Sequence, residues 1–404
     1  MKVLIVDKLA PIVREYLEKN GCICVENSNL QDQSLVEALQ QEKPDILVVR
    51  STKVNKDHIN NCPSLSLIIR AGAGVNTIDM TTASSKGVFV ANCPGRNAIA
   101  VAELVFGHIT NWSRNISNNI QNFHAGIWNK KAYSASNGLY GATIAVLGLG
   151  AIGMEVISRA HAFGMQVQAW SRSLTPEKAE ELGIIYCATP KEAVIGAEIV
   201  TVHLPYTAST KHFINQAILD AMLPKSLLVN TSRAELVDEQ ALLSAIETKQ
   251  IFAGLDVFEG EPSGGYQENF TSVFQHNPHV YVTHHIGAST EQATVSVAQA
   301  VIDIIDSWKN QGIVPNCVNI KAKNPLNSCL SIRHADKVGV LANILLTLKS
   351  HGHNVQEMEN VVFQGGTAAC ARIFIMGVPT AELLEELQQV PDIFACSLST
   401  TQST

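Results

Sequence analysis

Three ionisable residues each follow a short apolar run in the second half of the chain, and their types suit one kind of reaction. They are Arg233 in VNTSRAELVD, Glu261 in LDVFEGEP and His285 in VTHHIGAST. Arginine is planar and permanently charged, which suits a carboxylate, and imidazole exchanges a proton near neutral pH. A carboxylate such as Glu261 can hold the tautomer of a histidine and raise its pKa. Together the residue types would suit hydride transfer to a 2-oxo acid, which requires a cation for the carboxylate and carbonyl and a proton donor at the carbonyl oxygen.

Each of the three also has a purely structural interpretation when it is taken alone. Arg233 could cap a helix or pair with an acid, Glu261 could be an exposed turn residue, and His285 could be a buried hydrogen-bonded ring. Open α/β sheets bind ligands outside the carboxyl ends of their strands, so three strand ends could bring these side chains into one cleft. The combination favours a catalytic site.

A glycine-rich segment, TIAVLGLGAIGMEV, precedes these residues and has the pattern of a dinucleotide site. Gly148, Gly150 and Gly153 follow an apolar strand and open a helix predicted over 154–163, and a second strand ends near Trp170. The first glycine permits a tight turn, the second lets the backbone approach a pyrophosphate, and the third lets the helix pack on the strand. The helix N-terminus adds unpaired N–H groups for phosphate. The segment predicts a nicotinamide dinucleotide as cofactor.

The position that distinguishes NAD from NADP lies in the sequence AWSRS. An acid about 20 residues after the glycines would accept hydrogen bonds from the ribose of NAD, but Ser171 and Arg172 stand there. A hydroxyl and a guanidinium can hold a 2′-phosphate. The segment favours NADP, with NAD as the alternative cofactor and a solvated surface role as the structural alternative for Arg172.

The elements that must position these residues form two series of α/β units. Short apolar runs bounded by turn residues, typical of buried parallel strands, cover residues 2–7, 45–51, 65–74, 87–92, 143–150, 165–171, 198–205, 226–232 and 252–258. Long helices are predicted over residues 98–122 and 291–309. These helices would suit a hinge between two lobes, the second carrying the chain back to the first lobe. The sequence predicts an α/β protein with two doubly wound Rossmann-like lobes.

The predicted boundaries follow from this pattern. Residues 1–98, completed by 286–318, form a substrate-binding lobe, and residues 99–285 form the dinucleotide-binding domain. Residues 319–328 are predicted as a linker. The remaining segment, 329–404, has the order strand, helix, strand, strand, helix, strand, which predicts a small α+β domain.

Composition excludes several classes of partner. Hydrophobic residues make up 46% of the 404 residues and charged residues 16%, which indicates globular domains with large cores. The net charge of −7 and the lack of a basic run argue against nucleic acid and anionic membranes. Nine scattered cysteines without a CxxC pair favour free thiols, and no run is long enough for a membrane span or a signal peptide. A cytoplasmic protein is expected.

The motifs GLGAIG, VNTSRAELVDEQAL, LDVFEGEP and HIGAST, in this order, resemble those of the D-isomer-specific 2-hydroxyacid dehydrogenase family over most of residues 1–320. The segments VVRSTKV, IIRAGAGVNTID and NCPGRNAIAVAE resemble, more narrowly, its phosphoglycerate dehydrogenase branch. The resemblance implies that Arg233 binds the substrate carboxylate, that Glu261 supports the histidine, and that His285 is the acid–base group.

The resemblance also implies the residues that surround the reacting atoms. Arg50 and Arg70 would face the substrate from the first lobe, and Asp256 and the backbone near Thr231 would hold the nicotinamide end. The implied substrate-binding residues are Arg50, Arg70, Gly72, Ala73, Gly74 and Asn97. The implied cofactor-binding residues are Gly148, Gly150, Ala151, Ile152, Gly153, Ser171, Arg172, Leu204, Pro205, Thr231, Ser232, Asp256 and Gly287.

The sequence departs from the family pattern beside the catalytic histidine, where His284 replaces the usual proline. A pair of histidines resembles a metal site, but neighbours on a strand point to opposite faces. One of the two rings is therefore expected to point away from the substrate, and no metal is expected.

The C-terminal segment, residues 330–378, resembles an ACT domain, an amino-acid-binding module. The positions that match its effector site are His334, Asp336 and Asn354, if the turn glycine is Gly339. The resemblance implies an amino-acid effector such as L-serine, bound at a subunit interface, and a homodimer or homotetramer. A dimerisation module without a ligand is the alternative.

The resemblance implies oxidation of 3-phospho-D-glycerate to 3-phosphooxypyruvate, the first step of L-serine biosynthesis. Arg50 is then the candidate for the substrate phosphate, with Lys130 or Lys131 assisting from a neighbouring subunit. The alternatives are an NADPH-dependent glyoxylate or hydroxypyruvate reductase or another D-2-hydroxyacid dehydrogenase, which AWSRS favours and the C-terminal domain disfavours. A non-catalytic, cofactor-sensing regulator would be favoured by loss of Arg233, Glu261 or His285, and all three are present.

Overall fold

The computed structural model describes residues 1–134, 136, 138–262, 266–321 and 327–400. The chain divides into two compact units, Met1–Asn319 and Ile320–Thr404. Part of the predicted linker, residues 322–326, and the last four residues of the predicted third domain lie outside the described residues.

The first unit begins with a parallel five-stranded sheet in the order β2-β1-β3-β4-β5. Its strands are β1 (Lys2–Ile5), β2 (Ile23–Glu26), β3 (Ile46–Val49), β4 (Leu67–Arg70) and β5 (Phe89–Asn92). Its helices are α1 (Ile12–Lys19), α2 (Asp32–Glu42), α3 (Lys56–Asn60) and α4 (Met80–Ser85). The sequences of the central strands are continuous apolar runs because these strands are buried on both faces. The half-exposed edge strand β2 was not predicted, because its sequence ICVE has no such run.

Three helices follow: α5 (Ala98–Arg114), α6 (Ile116–His124) and α7 (Lys130–Tyr133). The prediction of one helix over residues 98–122 was wrong. Asn115 has φ of 50°, a left-handed conformation that ends α5 and precedes the first residue of α6. Asparagine tolerates this conformation better than most residues, so the break has a local cause.

A second parallel sheet has the order β12-β11-β10-β9-β6-β7-β8. Its strands are β6 (Thr143–Leu147), β7 (Gln166–Trp170), β8 (Ile185–Tyr186), β9 (Ile199–Val202), β10 (Leu227–Asn230), β11 (Phe252–Leu255) and β12 (Val280–Val282). Its helices are α8 (Ala151–Ala162), α9 (Pro176–Glu181), α10 (Pro190–Val194), α11 (Gln216–Ala221) and α12 (Glu239–Lys249), with a 3-10 turn at Ala234–Leu236. The strand order reverses between β6 and β9, where dinucleotide folds bind their ligand.

The chain then returns to the first sheet through α13 (Glu291–Gln311). Val297, Val301 and Ile305 of this helix pack in the same core as Val3 of β1 and Leu17 of α1. Two doubly wound sheets therefore share the first unit, and the predicted fold class is confirmed. The predicted lobe boundaries at residues 98 and 286 stay a prediction.

The second unit has the order β13 (Asn327–Ala335), α14 (Val340–Ser350), β14 (Val355–Val362), β15 (Ala368–Met376), α15 (Ala381–Gln389) and β16 (Ile393–Thr400). Its antiparallel sheet has the order β14-β15-β13-β16, and both helices pack on one face through Ile344, Leu348, Leu383 and Leu387. The predicted βαββαβ domain is confirmed as a fold. All nine cysteines are free, and within the described ranges no helix is both long and apolar enough to cross a membrane.

Candidate active site

A cleft of about 610 Å³ within the first unit collects most of the residues singled out in the sequence. Side chains from the first sheet, from the β6–β9 crevice and from the segment after β12 border it. The predicted residues that line it are Arg70, Ala73, Gly74, Asn97, Ile152, Leu204, Pro205, Thr231, Ser232, Arg233 and His285. The structure thus brings residues from both ends of the first unit to one cavity.

His285 and Glu261 form a direct pair at this cleft. His285 Nδ1 lies 2.7 Å from Glu261 Oε2, and Glu261 Oε1 accepts a hydrogen bond of 2.9 Å from the backbone N–H of Phe258. The hydrogen bond to Glu261 raises the pKa of His285, while partial burial and the positive charge of Arg233 oppose the rise. Because Nδ1 is engaged with the carboxylate, Nε2 is the ring atom left to exchange a proton with a ligand.

The backbone at His285 has the left-handed φ of 53°, which is uncommon for a residue other than glycine. Asp256 holds this conformation from both sides, since its carboxylate accepts hydrogen bonds from the Thr283 hydroxyl and from the N–H groups of Ile286 and Gly287, at 2.6, 2.9 and 2.8 Å. The Asp256 carbonyl accepts the N–H of His285 as well. This buried acid therefore fixes the segment that presents His285.

The argument from strand alternation at His284 and His285 does not apply, because β12 ends at Val282 and both residues follow it. His285 borders the cleft and His284 is not among its lining residues. In the described part of the chain, no group of three or more histidine, cysteine, aspartate and glutamate side chains is arranged to hold a metal ion.

Two guanidinium groups occupy space that glycines leave open. A Cβ at Gly72 would lie 1.6 Å from Nη1 of Arg70, and a Cβ at Gly74 would lie 2.6 Å from Nη2 of Arg233. Burial, and then the positive charges of Arg233 and Arg50, lower the pKa of Arg70. Like charges that face one another in a partly buried site favour the binding of an anion between them.

A smaller cavity of about 80 Å³ adjoins this region and contains Arg50, Arg70, Gly72 and Asn97 among its lining residues. The loop that carries Arg50 is held by Asp7, whose carboxylate accepts the N–H of Arg50 at 2.6 Å and the hydroxyl of Ser51 at 2.7 Å. Burial alone would raise the pKa of Asp7, but these hydrogen bonds lower it overall. Asp7 therefore stays charged and orders the loop that carries the Arg50 guanidinium.

The glycine segment has the geometry of a phosphate cradle. Gly148 has φ of 104°, and a Cβ there would lie 2.7 Å from the carbonyl oxygen of His203. A Cβ at Gly153 would lie 2.1 Å from the carbonyl oxygen of Gly148, so only glycine allows α8 to pack this close to β6. A Cβ at Gly150 would meet no atom within 4 Å, which leaves open space at the N-terminus of α8.

Unpaired polar atoms support the fit to a dinucleotide. Within the described residues, Ser171 Oγ, Thr231 Oγ1 and His203 Nδ1 are among the buried atoms that have no hydrogen-bond partner. Ser171 follows β7, Thr231 follows β10 and His203 follows β9, so all three lie at carboxyl ends of the second sheet. Because buried polar atoms are normally paired, donors and acceptors of a bound ligand would complete this set. The residues present fit a nicotinamide dinucleotide.

Other predicted residues lie away from the cleft walls. Gly148, Gly150, Ala151 and Gly153 form the turn and first helical residues beside it, and the Asp256 carboxylate faces the segment 283–287 rather than open space. Arg172 is exposed after β7. Lys130 and Lys131 are exposed on α7 and are not among the residues that line the cleft.

The three predicted effector residues lie in the second unit and differ in environment. His334 is buried, with Nδ1 2.8 Å from the carbonyl oxygen of Ala335 and Nε2 3.1 Å from Asn360 Oδ1. Asp336 and Asn354 are exposed. The side chain that contacts His334 is thus Asn360, which the sequence reasoning had not named.

Sequence reasoning missed Asp7 and His203. Asp7 follows the apolar run of β1, and a carboxylate at the end of a parallel strand was a usable signal. His203 is buried with Nε2 2.9 Å from Thr201 Oγ1, and burial lowers its pKa to about 3, so the ring is neutral. Nothing in the segment EIVTVHLP distinguished it from a core histidine.

Two doubly wound sheets around a cleft, with a glycine cradle, a histidine–glutamate pair and convergent arginines, define a dinucleotide-dependent oxidoreductase of the two-lobed type. Residues 106–287 match the model of the D-isomer specific 2-hydroxyacid dehydrogenase NAD binding domain. A D-3-phosphoglycerate dehydrogenase of Rattus norvegicus is 31% identical over 396 residues, which cover 97% of this chain and 72% of that protein. The chain belongs to the D-isomer specific 2-hydroxyacid dehydrogenase family.

A second relative and a solved structure also resemble this chain. A D-3-phosphoglycerate dehydrogenase of Methanocaldococcus jannaschii is 35% identical over 322 residues, which are 79% of this chain and 60% of that protein. A crystal structure of NAD⁺-bound 3-phosphoglycerate dehydrogenase from Entamoeba histolytica has a TM-score of 0.66 at 24% identity, covering 80% of this chain and 99% of that one. The latter likeness shows the fold alone, and the match to the archaeal relative spans 60% of that relative's length.

Proposed function

We propose that the chain catalyses the nicotinamide-dependent oxidation of 3-phospho-D-glycerate to 3-phosphooxypyruvate, the first step of L-serine biosynthesis. The observation that carries the proposal is the His285–Glu261 pair, 2.7 Å apart, at a cleft that also holds Arg233 and Arg70. Its relatives named D-3-phosphoglycerate dehydrogenase support the choice of substrate.

In this reaction Arg233 binds the substrate carboxylate and places the C2 hydroxyl near His285 Nε2. His285 accepts the hydroxyl proton as the carbonyl forms, and Glu261 stabilises the resulting imidazolium through Nδ1. The bound nicotinamide cofactor supplies the acceptor for the hydride that leaves C2. Asp256 keeps the His285 backbone in its left-handed conformation, so the ring needs no reorganisation during turnover.

Arg50 is the proposed ligand of the substrate phosphate in the first lobe. It lines the small cavity beside Arg70, and Asp7 orders its loop. In a homo-oligomer, Lys130 or Lys131 of a neighbouring copy is proposed to assist. Carboxylate binding is common to all 2-hydroxy acids, so this second cationic group is what selects a phosphorylated substrate.

The proposal is tested by absorbance at 340 nm with NADH and NADPH, each with phosphohydroxypyruvate, hydroxypyruvate, glyoxylate and 2-oxoglutarate. Phosphohydroxypyruvate is expected to give the highest kcat/KM, and Arg50→Gln is expected to lower that value while leaving glyoxylate turnover unchanged. A higher kcat/KM for hydroxypyruvate or glyoxylate would overturn the substrate assignment.

A glyoxylate or hydroxypyruvate reductase is the second candidate. The observation that favours it is the exposed Arg172 beside the unpaired Ser171 hydroxyl, a pair that suits the 2′-phosphate of NADPH and hence a reductase. The same assay separates the two candidates, because only the first depends on the phosphate of the substrate.

For the cofactor, we propose that Ser171 and Arg172 favour NADP over NAD. Arg172→Gln is expected to raise the KM for NADPH by about 10- to 150-fold, because a charge-assisted hydrogen bond contributes about 1.5–3 kcal/mol, and to leave the KM for NADH unchanged. Initial-rate kinetics at fixed substrate measure both values, with Arg14→Gln, which changes an exposed arginine on α1, as the matched control. Equal NADPH kinetics in wild type and variant would exclude Arg172 from cofactor choice.

We propose that α6 and α7 form a homodimer surface. No residue of α6 is buried, and the side chains of Ile116, Ile120 and Phe123 recur at helical spacing on its exposed surface, followed by Trp128 at 82% exposure. A continuous apolar stripe of this kind marks an interaction site, and a twofold contact lets it bind its own copy.

Phe123→Asp is expected to convert the dimer to a monomer, because it places a charge in the centre of that stripe. Light scattering coupled to size exclusion measures the mass, and Ile23→Asp, an exposed apolar position on the edge strand β2, is the control. A variant with the wild-type mass would place the interface elsewhere.

The C-terminal unit is proposed to be an ACT-like regulatory domain with an amino-acid effector near His334, Asp336 and Asn354. L-Serine added to the assay is expected to inhibit, since it is the product of the proposed pathway. Unchanged rates at millimolar serine would leave the unit as a dimerisation module.

Nine free thiols suit a reducing compartment, and a cytoplasmic location is proposed.

A further inference from the structure

One face of α5 lies directly under the segment that presents His285. A Cβ on Gly287 would lie 3.5 Å from Val101 Cγ2 and 3.8 Å from Leu104 Cδ2. One turn further along the same face, the ring of His108 rests on the backbone of Gly254, where an added Cβ would lie 2.9 Å from the histidine Cβ and Cγ. Spacings of three and four residues place these side chains on one stripe of the helix.

Two hydrogen bonds connect His108 to Asp256. His108 Nε2 lies 3.3 Å from Thr283 Oγ1, and Thr283 Oγ1 donates to Asp256 Oδ1 at 2.6 Å. A hydroxyl carries one hydrogen, so the threonine oxygen must accept from the histidine, which sets the Nε2–H tautomer. Burial lowers the pKa of His108, although Asp256 opposes this, so the ring is a neutral donor.

The chain of contacts ends at His285. Asp256 accepts the N–H groups on the far side of His285, at Ile286 and Gly287, while Thr283 lies two residues before it. The left-handed backbone at His285 is a strained conformation that persists only where the surroundings impose it. A tilt of the Asp256 carboxylate would move the segment 283–287 and lengthen the bond from His285 to Glu261.

We propose that His108 is a positioning residue for the acid–base histidine: its Nε2–H orients the Thr283 hydroxyl, which orients Asp256, which holds the segment 283–287 and sets the His285 ring against Glu261. This inference rests on the proposed function, because it gives His108 a part in the same site. His108 is 4% exposed and is not among the residues that line the cleft, so it acts only through these neighbours.

A double-mutant cycle tests the route of the effect. His108→Leu removes the donor, and Thr283→Val removes the hydroxyl while keeping the shape of the side chain. Each is expected to lower kcat about 10-fold with a smaller change in KM, as expected for a displaced catalytic group. The double variant is expected to match Thr283→Val alone, because His108 acts through that hydroxyl. Losses that multiply in the double variant would overturn the proposal.

A conservative variant and a matched control separate positioning from packing. His108→Gln keeps an N–H donor and is expected to recover part of kcat relative to His108→Leu. His58→Leu removes a second buried, hydrogen-bonded histidine that does not border the cleft, and it is expected to lower stability without lowering kcat. Equal losses in His108→Gln and His108→Leu would contradict the proposal.

A measurement that does not depend on turnover distinguishes failure of this inference from failure of the proposed function. The His285 ring signal is assigned in the cofactor-free protein by NMR with His285→Ala. The charged groups that face this ring are Glu261, Asp256 and Arg233. His108→Leu and Thr283→Val are expected to lower the pKa of His285 toward its ordinary value, because the Glu261 bond weakens. An unchanged titration overturns this inference, whereas a shifted titration in a protein that turns over none of the four oxo acids overturns the proposed function alone.

Discussion

Replacement of His285 by alanine is expected to lower kcat by about 10²–10⁴-fold, because general acid–base catalysis contributes that much and no other described residue contacts Glu261 in the same way. The neighbouring histidine provides a matched control. His284→Ala removes an imidazole one residue away that is not among the residues lining the cleft, and it is expected to retain kcat within a factor of about 3. Steady-state kinetics with the best substrate of the panel measure both variants.

Measuring cofactor binding by His285→Ala shows whether the variant has lost only its acid–base group or also its folded structure. His285→Ala is expected to bind NADH or NADPH as the wild type does, measured by quenching of protein fluorescence, since the atoms that pack on Gly148 and Gly153 belong to Val146, Gly148, His203 and Leu204 and not to His285. Wild-type turnover in His285→Ala would remove this residue from the mechanism, and equal losses in both histidine variants would indicate a structural effect.

The direction in which kcat/KM changes with pH follows from the His285–Glu261 pair. In oxidation His285 must be neutral to accept a proton, so kcat/KM is expected to fall as pH decreases through its pKa. The hydrogen bond to Glu261 raises that pKa, so the fall starts at a higher pH than for a free imidazole. Glu261→Gln is expected to shift this acid-side fall in kcat/KM to lower pH. If the fall stays at the same pH in the variant, a group other than His285 is titrating.

Local patterns predicted the elements that are buried and regular. The runs at β3, β6 and β9 predicted parallel strands because a strand covered on both faces must be apolar throughout. The edge strand β2 lacks such a run, and β8 has only two residues, so neither could be recognised. Asn115 ended a helix that periodicity alone continued to residue 122.

Prediction of the candidate site from the sequence has a similar limit. Residues that are proposed to contact a ligand directly stand in recognisable motifs, as Gly148 and Arg233 do. Residues that act on other residues do not, because their role exists only after folding brings distant segments together. Asp7 orders a loop 43 residues away, and Thr283 contacts a helix 175 residues before it. The left-handed conformation of His285 is also a product of these contacts rather than of its own sequence.

Replacement of Arg233 by alanine is expected to lower kcat/KM by about 10²–10⁴-fold, because removal of one partner of a buried charge pair costs about 3–5 kcal/mol. The loss is expected mainly in KM if Arg233 only binds the carboxylate, and in both constants if it also orients the hydroxyl toward His285. Arg14→Ala, which removes only exposed ion pairs, is expected to match the wild type.

The charge pattern around Arg233 makes a second measurement informative. Burial, and then the positive charges of Arg233 and Arg50, lower the pKa of Arg70, and the three guanidinium groups concentrate positive charge in the cleft. Removal of Arg233 relieves that repulsion, and the Tm of the ligand-free variant is expected to equal or exceed that of the wild type. Oxalate, a carboxylate probe, stabilises only a protein that binds it, so it is expected to raise the Tm of the wild type and not that of Arg233→Ala. A variant with a lower Tm and an intact response to oxalate would make Arg233 a structural residue, because loss of stability and loss of anion binding would then have separate causes.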